Sequence, residues 1–162
     1  MENKTSMFCS WSGGKESVMS LYTQIKSGKT VKCLLNMITE DGMHSRTHGL
    51  SSHMITAQSD ALCIPVIQRR ASWDNYESEF KKILSLLANN GIKTGIFGDI
   101  DLKEHRDWIE RVCSESGIKS LLPLWHKNRE QLINEFVDEG FKAIIVSVDT
   151  NCLGEEWLGR QI

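Results

Sequence analysis

Short apolar runs alternate along this chain with longer segments in which apolar residues recur every three or four positions. Met7, Phe8, Cys9 and Trp11 read as a buried strand, and Val18, Leu21, Tyr22 and Ile25 as one face of the helix that follows. A second strand is predicted over residues 31–38, ended by the polar turn Thr39-Glu40-Asp41-Gly42. Ser51 or Ser52 can cap a helix running to Leu62, and residues 65–68 supply a third strand. Trp73, Tyr76, Phe80, Ile83, Leu84 and Leu87 form a stripe expected to pack in the core, with Asn89-Asn90-Gly91 as its stop signal. A fourth strand over 94–97 leads through Gly98-Asp99 to a helix carrying Trp108, Ile109, Val112 and Cys113. A fifth strand (119–122), a fifth helix (Leu132, Ile133, Phe136, Val137) and a sixth strand (142–148) complete the pattern. Such alternation predicts an α/β fold, a doubly wound and mainly parallel sheet with helices on both faces.

In sheets of this kind ligands bind beyond the carboxyl ends of the strands. The segment after the first strand is Ser12-Gly13-Gly14-Lys15-Glu16-Ser17. Gly13 and Gly14 let the backbone take unusual angles and let an anion approach it, and the next amides sit at the positive end of a helix. Ser12 and Ser17 add hydroxyls and Lys15 a cation, while Glu16 could orient Mg²⁺ or a water. The same residues also make an ordinary turn. Against that stands the company they keep: Gly98-Asp99 and Pro123-Leu124-Trp125 fall after other strands, at the same predicted end of the sheet.

Composition narrows the classes. A 162-residue chain suits one domain, expected to bury roughly 68 to 70% of its unfolded surface. Net charge is −2, from 19 basic and 21 acidic residues, and Arg69-Arg70 is the only basic doublet, so no nucleic-acid footprint is expected. The apolar runs are too short to cross a membrane, and the polar start lacks the apolar core of a secretion signal, so a cytoplasmic protein is expected. The five cysteines form no C-x-x-C pair, which indicates neither a zinc site nor a disulfide framework. His44 and His48 lie four apart with no third ligand at suitable spacing, so no metal site is assigned to the chain itself.

The turn resembles S-G-G-x-D-S, the loop of N-type ATP pyrophosphatases (PP-loop proteins), with Glu16 in place of the usual aspartate. With Thr47-His48-Gly49-Leu50, Phe97-Gly98-Asp99-Ile100, His105-Arg106, Pro123-Leu124-Trp125, Glu139-Gly140-Phe141-Lys142-Ala143 and Trp157-Leu158-Gly159-Arg160, the chain resembles the diphthine-ammonia ligase family from end to end. The resemblance implies a fold like that of the adenine nucleotide alpha hydrolases. It implies an amide-forming ligase that adenylates a carboxylate with ATP and Mg²⁺, releases pyrophosphate, and lets ammonia displace AMP. The acceptor would be diphthine on elongation factor 2 or a small carboxylate.

Carried onto matching positions, Ser12, Gly13, Gly14, Lys15, Glu16 and Ser17 would hold the pyrophosphate portion, and main chain near Leu35, Asn36 and Met37 would lie by the adenine. Gly98, Asp99 and Arg106 would approach the α phosphate or the acceptor, with Lys15, Asp99 and Arg106 the catalytic set. Asp99 equally reads as a helix cap. His48 would orient substrate, and Trp125 would wall the pocket or pack in the core.

Family members continue past the Leu158-Gly159-Arg160 region into a segment on the acceptor side, so a chain stopping at Ile162 is expected to be a fragment or a short member with a reduced substrate pocket. Two other functions remain open, a non-catalytic adenine-nucleotide-binding module and a tRNA-modifying PP-loop enzyme, and the sequence leaves room for a homo-oligomer.

Overall fold

The computed structural model describes residues 6–162, in two compact units, the first ending at Trp125 and the second spanning His126–Ile162. In the first unit β1 (Ser6–Ser10), α1 (Lys15–Lys26), β2 (Val31–Ile38), α2 (Ser52–Leu62), β3 (Val66–Arg70), α3 (Tyr76–Asn89), β4 (Ile92–Ile96), α4 (Lys103–Glu115) and β5 (Lys119–Leu121) follow one another. The five strands form a wholly parallel sheet in the order β3-β2-β1-β4-β5. The chain winds outward from β1 through β2 to β3, then returns to the other side of β1 for β4 and β5. The switch point therefore falls between β1 and β4, where the loops leaving adjacent strands turn apart and leave room for a ligand.

Side chains alternate across each strand, so one short run feeds two cores. Phe8, Leu35, Met37 and Phe97 join α3 and α4 on one face of the sheet. Cys9, Trp11, Leu34 and Ile96 join Leu21 of α1 and Ile55 of α2 on the other. This is the doubly wound α/β fold that the alternating pattern predicts, and it explains why β2 reads as an unbroken apolar run: six successive residues, Cys33 to Ile38, are buried.

Two readings need correction. Trp73 is 70% exposed and lies outside the core stripe. Ser72 and Asn75 bond each other's backbone N–H groups through their side chains (2.8 and 3.2 Å), which makes a turn before α3 and takes Trp73 out of helical register. Its ring stacks on Tyr76 instead, centroids 5.7 Å apart, beneath the Arg46 guanidinium. Residues 142–148 contribute no sixth strand to the sheet. In the second unit α5 (Arg129–Asp138) starts at Asn128, whose side chain accepts from the Gln131 N–H, and Phe136 stacks on Phe141. The β-branched run that follows pairs locally: Ile144 bridges Gln161 in antiparallel fashion, and Ala143 and Ile162 exchange backbone hydrogen bonds. Its β propensity is satisfied there by a short ribbon.

Candidate functional site

The turn after β1 is the best-braced loop at the carboxyl edge of the sheet. Gly13 has φ +79°, and a side chain there would come within 2.9 Å of Gln58, Leu50 and Ile55. Both facts demand glycine. Gly14 is the extended residue that starts α1 (φ −91°, ψ 172°). Its N–H donates to Ser12 Oγ (3.2 Å), Ser12 Oγ donates to Ser17 Oγ (3.3 Å), and Ser17 Oγ donates to the Gly14 carbonyl (2.8 Å). The first intrahelical bond is Val18 N–H to Gly14 O, so the amides of Lys15, Glu16 and Ser17 have no acceptor within the helix. Three consecutive N–H groups at the positive end of α1 are the donor set that suits phosphate oxygens. Lys15 and Glu16 pair with each other at the lip of the turn, both partly exposed.

Small residues seat α1 tightly on the end of β4. Buried Ser20 donates to the Phe97 carbonyl (3.3 Å), and a Cβ on Gly98 would lie 3.0 Å from the Glu16 carbonyl carbon and 3.1 Å from the Ser17 nitrogen. Gly98 thus lets the switch-point loop touch the start of the helix. His48, in the left-handed region at φ +62°, brings its ring so close to Gly14 that a Cβ there would sit 2.6 Å from Nε2. The Thr47-His48-Gly49-Leu50 segment is therefore folded over the glycine turn. Beneath the turn, burial pushes the Cys9 thiol far above its ordinary range and the Cys33 thiol up to about 11, which keeps both sulfurs protonated and inert at neutral pH.

Asn36 and Met37 stand at the end of β2. Asn36 is 2% exposed; its Nδ2 donates to the Trp11 carbonyl and to Ser45 Oγ, both at 2.8 Å, and its Oδ1 is buried without a partner. Met37 is buried among the α3 side of the core, and its carbonyl accepts from the Arg46 N–H (2.9 Å). That oxygen lies beneath the surface next to the turn, an unpaired buried acceptor of a kind that is costly to leave unmade.

Beyond β4, Asp99 lies 3.2 Å from His105 Nδ1. Asp99 does not cap α4: the N-cap is Leu102, with no side-chain cap, so the capping alternative fails. Arg106 bonds Glu110 one turn on (2.6 Å), and its guanidinium lies 5.0 Å from the Trp125 ring centroid. Arg106 and Trp125 are thus brought together, while His48 and Gly98 are the expected residues that close on the turn itself. Among the described residues no cluster of three or more His, Cys, Asp or Glu is arranged to hold a metal ion. Mg²⁺ would need the oxygens of a bound triphosphate to complete its shell.

One bracing residue carries no motif. Gln58 of α2 accepts from the Trp11 indole N–H (2.9 Å) and donates to the Gly13 carbonyl (3.3 Å). The signal that could have found it is its spacing, three positions after fully buried Ile55 and so on the inward face of the helix.

The fold and this turn define a class, a doubly wound parallel α/β domain with a glycine-rich strand-to-helix turn at its switch point. The chain belongs to the family described as the diphthamide synthase N-terminal domain, whose model it matches over residues 5–120. It is 26% identical to a diphthine--ammonia ligase of Schizosaccharomyces pombe, over 93% of this chain and 28% of that protein. It is 23% identical to the diphthine--ammonia ligases of Mus musculus and Homo sapiens, over 85% of this chain and 59% of theirs. The chain thus spans less than two thirds of the length of these curated relatives. A crystal structure described as a predicted subunit of tRNA methyltransferase from Methanocaldococcus jannaschii superposes with a TM-score of 0.52 at 15% identity, covering 80% of this chain and 74% of that one. That likeness is one of fold. No helix among the described residues is long and apolar enough to cross a membrane.

Proposed function

We propose that this chain binds ATP with Mg²⁺ and uses it to activate a carboxylate for amide formation with ammonia. The observation that carries the reading is the set of three amides at residues 15–17, free of intrahelical acceptors and facing the switch point. A carboxylate has no good leaving group at neutral pH. Attack of its oxygen on the α phosphorus breaks the bond to the β-phosphate oxygen and releases pyrophosphate. Ammonia then adds to the acyl carbon, AMP leaves with the C–O electron pair, and the amine proton passes to water.

The chain's own work is electrostatic and positional. The amides of residues 15–17, Ser12, Ser17 and Lys15 stabilise the charge gathering on departing pyrophosphate, with the Gly13-Gly14 backbone letting it approach. Glu16 would help to hold Mg²⁺ together with the phosphates, and the ion would supply Lewis-acid stabilisation of the same charge. The main chain around Leu35, Asn36 and Met37 borders the adenine, while the side chains of Asn36 and Met37 stay buried. Gly98 keeps the approach to the α phosphate open, Asp99 and Arg106 serve the reacting end, and His48 and Trp125 border the acceptor. Diphthine on elongation factor 2 is the acceptor that the relatives' names favour, with a small carboxylate as the other candidate.

The test is product analysis. Purified protein given ATP, Mg²⁺, ammonium and acceptor is expected to yield AMP and pyrophosphate, and Lys15→Ala to lose at least about 100-fold of that rate, the scale of losing one oxyanion-stabilising donor. ADP and phosphate as products would overturn the reading. A second reading, a nucleotide-binding module without turnover, is favoured by Arg106 and Lys15 already being paired with Glu110 and Glu16. Nucleotide binding with no AMP from any acceptor would establish that one.

A further inference from the structure

The Gly13–Gly14 peptide is gripped at both ends: its carbonyl accepts from Gln58 Nε2 (3.3 Å) and its N–H donates to Ser12 Oγ (3.2 Å). Gln58 is in turn anchored by the Trp11 indole (2.9 Å). Chemistry fixes which way its amide points. An indole N–H can only donate, so the amide oxygen must face Trp11, which leaves the NH₂ group for the Gly13 carbonyl. Trp11 is itself held by the sheet: it is 3% exposed, its backbone N–H donates to the Leu35 carbonyl (2.8 Å), and its carbonyl accepts from Asn36 (2.8 Å). One side chain on α2 therefore ties the glycine turn to the rigid centre of the sheet. Without that tie the peptide keeps only the bond from the Gly14 N–H to Ser12, and glycine lacks the Cβ that limits rotation in other residues.

We infer that Gln58 is a positioning residue, a strut whose amide holds the Gly13–Gly14 peptide plane so that the three amides after it converge on one anion. The inference rests on the nucleotide reading above and adds to it a residue outside the glycine motif. Only a side chain that accepts at one atom and donates at another, with the reach of glutamine, fills this role. Glutamate lacks the donor, methionine both groups, and asparagine is one methylene short.

Inorganic pyrophosphate with Mg²⁺ is the probe, titrated by calorimetry into wild type, Gln58→Met, Trp11→Phe and the double variant. Gln58→Met is expected to weaken pyrophosphate at least tenfold and to move the Gly13 and Gly14 backbone amide resonances, with a melting midpoint near wild type. Because Trp11 acts on the turn through Gln58, the double variant is expected to bind no more weakly than Gln58→Met alone, a non-additivity that simple loss of packing would not produce. Should Gln58→Met unfold, Gln58→Asn gives the same comparison. Affinity within twofold of wild type for the Gln58 variant, or fully additive losses, would overturn the strut while leaving the nucleotide reading intact. A wild type that binds neither pyrophosphate nor ATP would overturn both.

Discussion

The turn after β1 is held by distant parts of the fold, whereas the turn after β4 is held mostly by its own helix. Gln58 of α2, Asn36 and Leu35 of β2, and the Gly98 region beyond β4 all fasten residues 11–17. Asp99 meets His105, Lys103 meets Asp107 and Arg106 meets Glu110, each pair within seven residues of chain and on exposed or half-exposed side chains. Cross-braced groups cannot move without breaking several contacts at once. A local surface pair is worth little and can change partners at small cost. On the proposed nucleotide reading, the difference would separate a preorganised anion cradle from a charged rim able to adapt to an acceptor of variable shape.

The largest effect on anion affinity should come from Gly13→Ala set against Arg106→Ala. An alanine at φ +79° costs on the order of 1–3 kcal/mol in backbone strain, and its methyl would press on Gln58, Leu50 and Ile55 at 2.8 to 2.9 Å. Pyrophosphate affinity measured by calorimetry should fall more than about 100-fold, a loss of roughly 3 kcal/mol. Arg106→Ala should leave that affinity within about twofold and the stability within roughly 0.5 kcal/mol, as for other exposed pairs. Equal losses in the two variants would break the comparison.

Asn36→Asp should come next. The change deletes the donor to the Trp11 carbonyl and to Ser45 and sets a carboxylate in a 2% exposed site. Breaking such a buried bond and leaving the charge unpaired should cost about 3–5 kcal/mol in urea unfolding. The pH dependence gives an internal check. Burial raises the folded-state pKa of the new carboxyl, so its penalty grows as pH rises and shrinks towards the ordinary aspartate value of ~4. A loss independent of pH would mean that packing, and not charge, is at fault.

Much of this arrangement was legible before the structure. The run 31–38 is β2 to the residue, Ser51 caps α2 by accepting from the Met54 N–H, and the glycine turn falls where a strand meets a helix. Periodicity reports which side chains face inward, and those elements depend on little else. It failed at Trp73, where two side chains that bond backbone override the helical spacing. It failed at 142–148, because β propensity does not specify a partner. Asp99 before a helix has the composition of a cap, yet the N-cap falls three residues later, at Leu102. For Gln58, spacing from Ile55 puts the side chain on the inward face of α2 but does not name its two partners, which lie 45 and 47 residues away.

The smallest effect concerns how α4 is attached, which bears on why its first turn can remain loosely paired. Glu77 of α3 accepts from Arg111 (2.7 and 2.8 Å) and from the Trp108 indole (2.9 Å), fastening the middle of α4 and leaving the residues around Asp99 and Arg106 outside the clasp. Arg111, then Lys81 and Trp108, hold the Glu77 carboxyl well below the usual carboxylate range. A depressed folded-state pKa contributes stability that is present above the unfolded value, ~4.3 for glutamate, and is lost as pH falls through the folded one. The urea midpoint of the wild type should therefore decline on acidification below about pH 4.5, more steeply than that of Glu77→Gln, whose uncharged amide has no such dependence. Because Glu77 is partly exposed, its share should be smaller than the effect of Gly13→Ala or Asn36→Asp. Pyrophosphate affinity at neutral pH should be the same in both proteins, since the clasp lies apart from the strut at Gln58. A Glu77→Gln variant that lost affinity would show the anion cradle to depend on the seating of α4, and the separation between braced turn and adaptable rim would have to be redrawn.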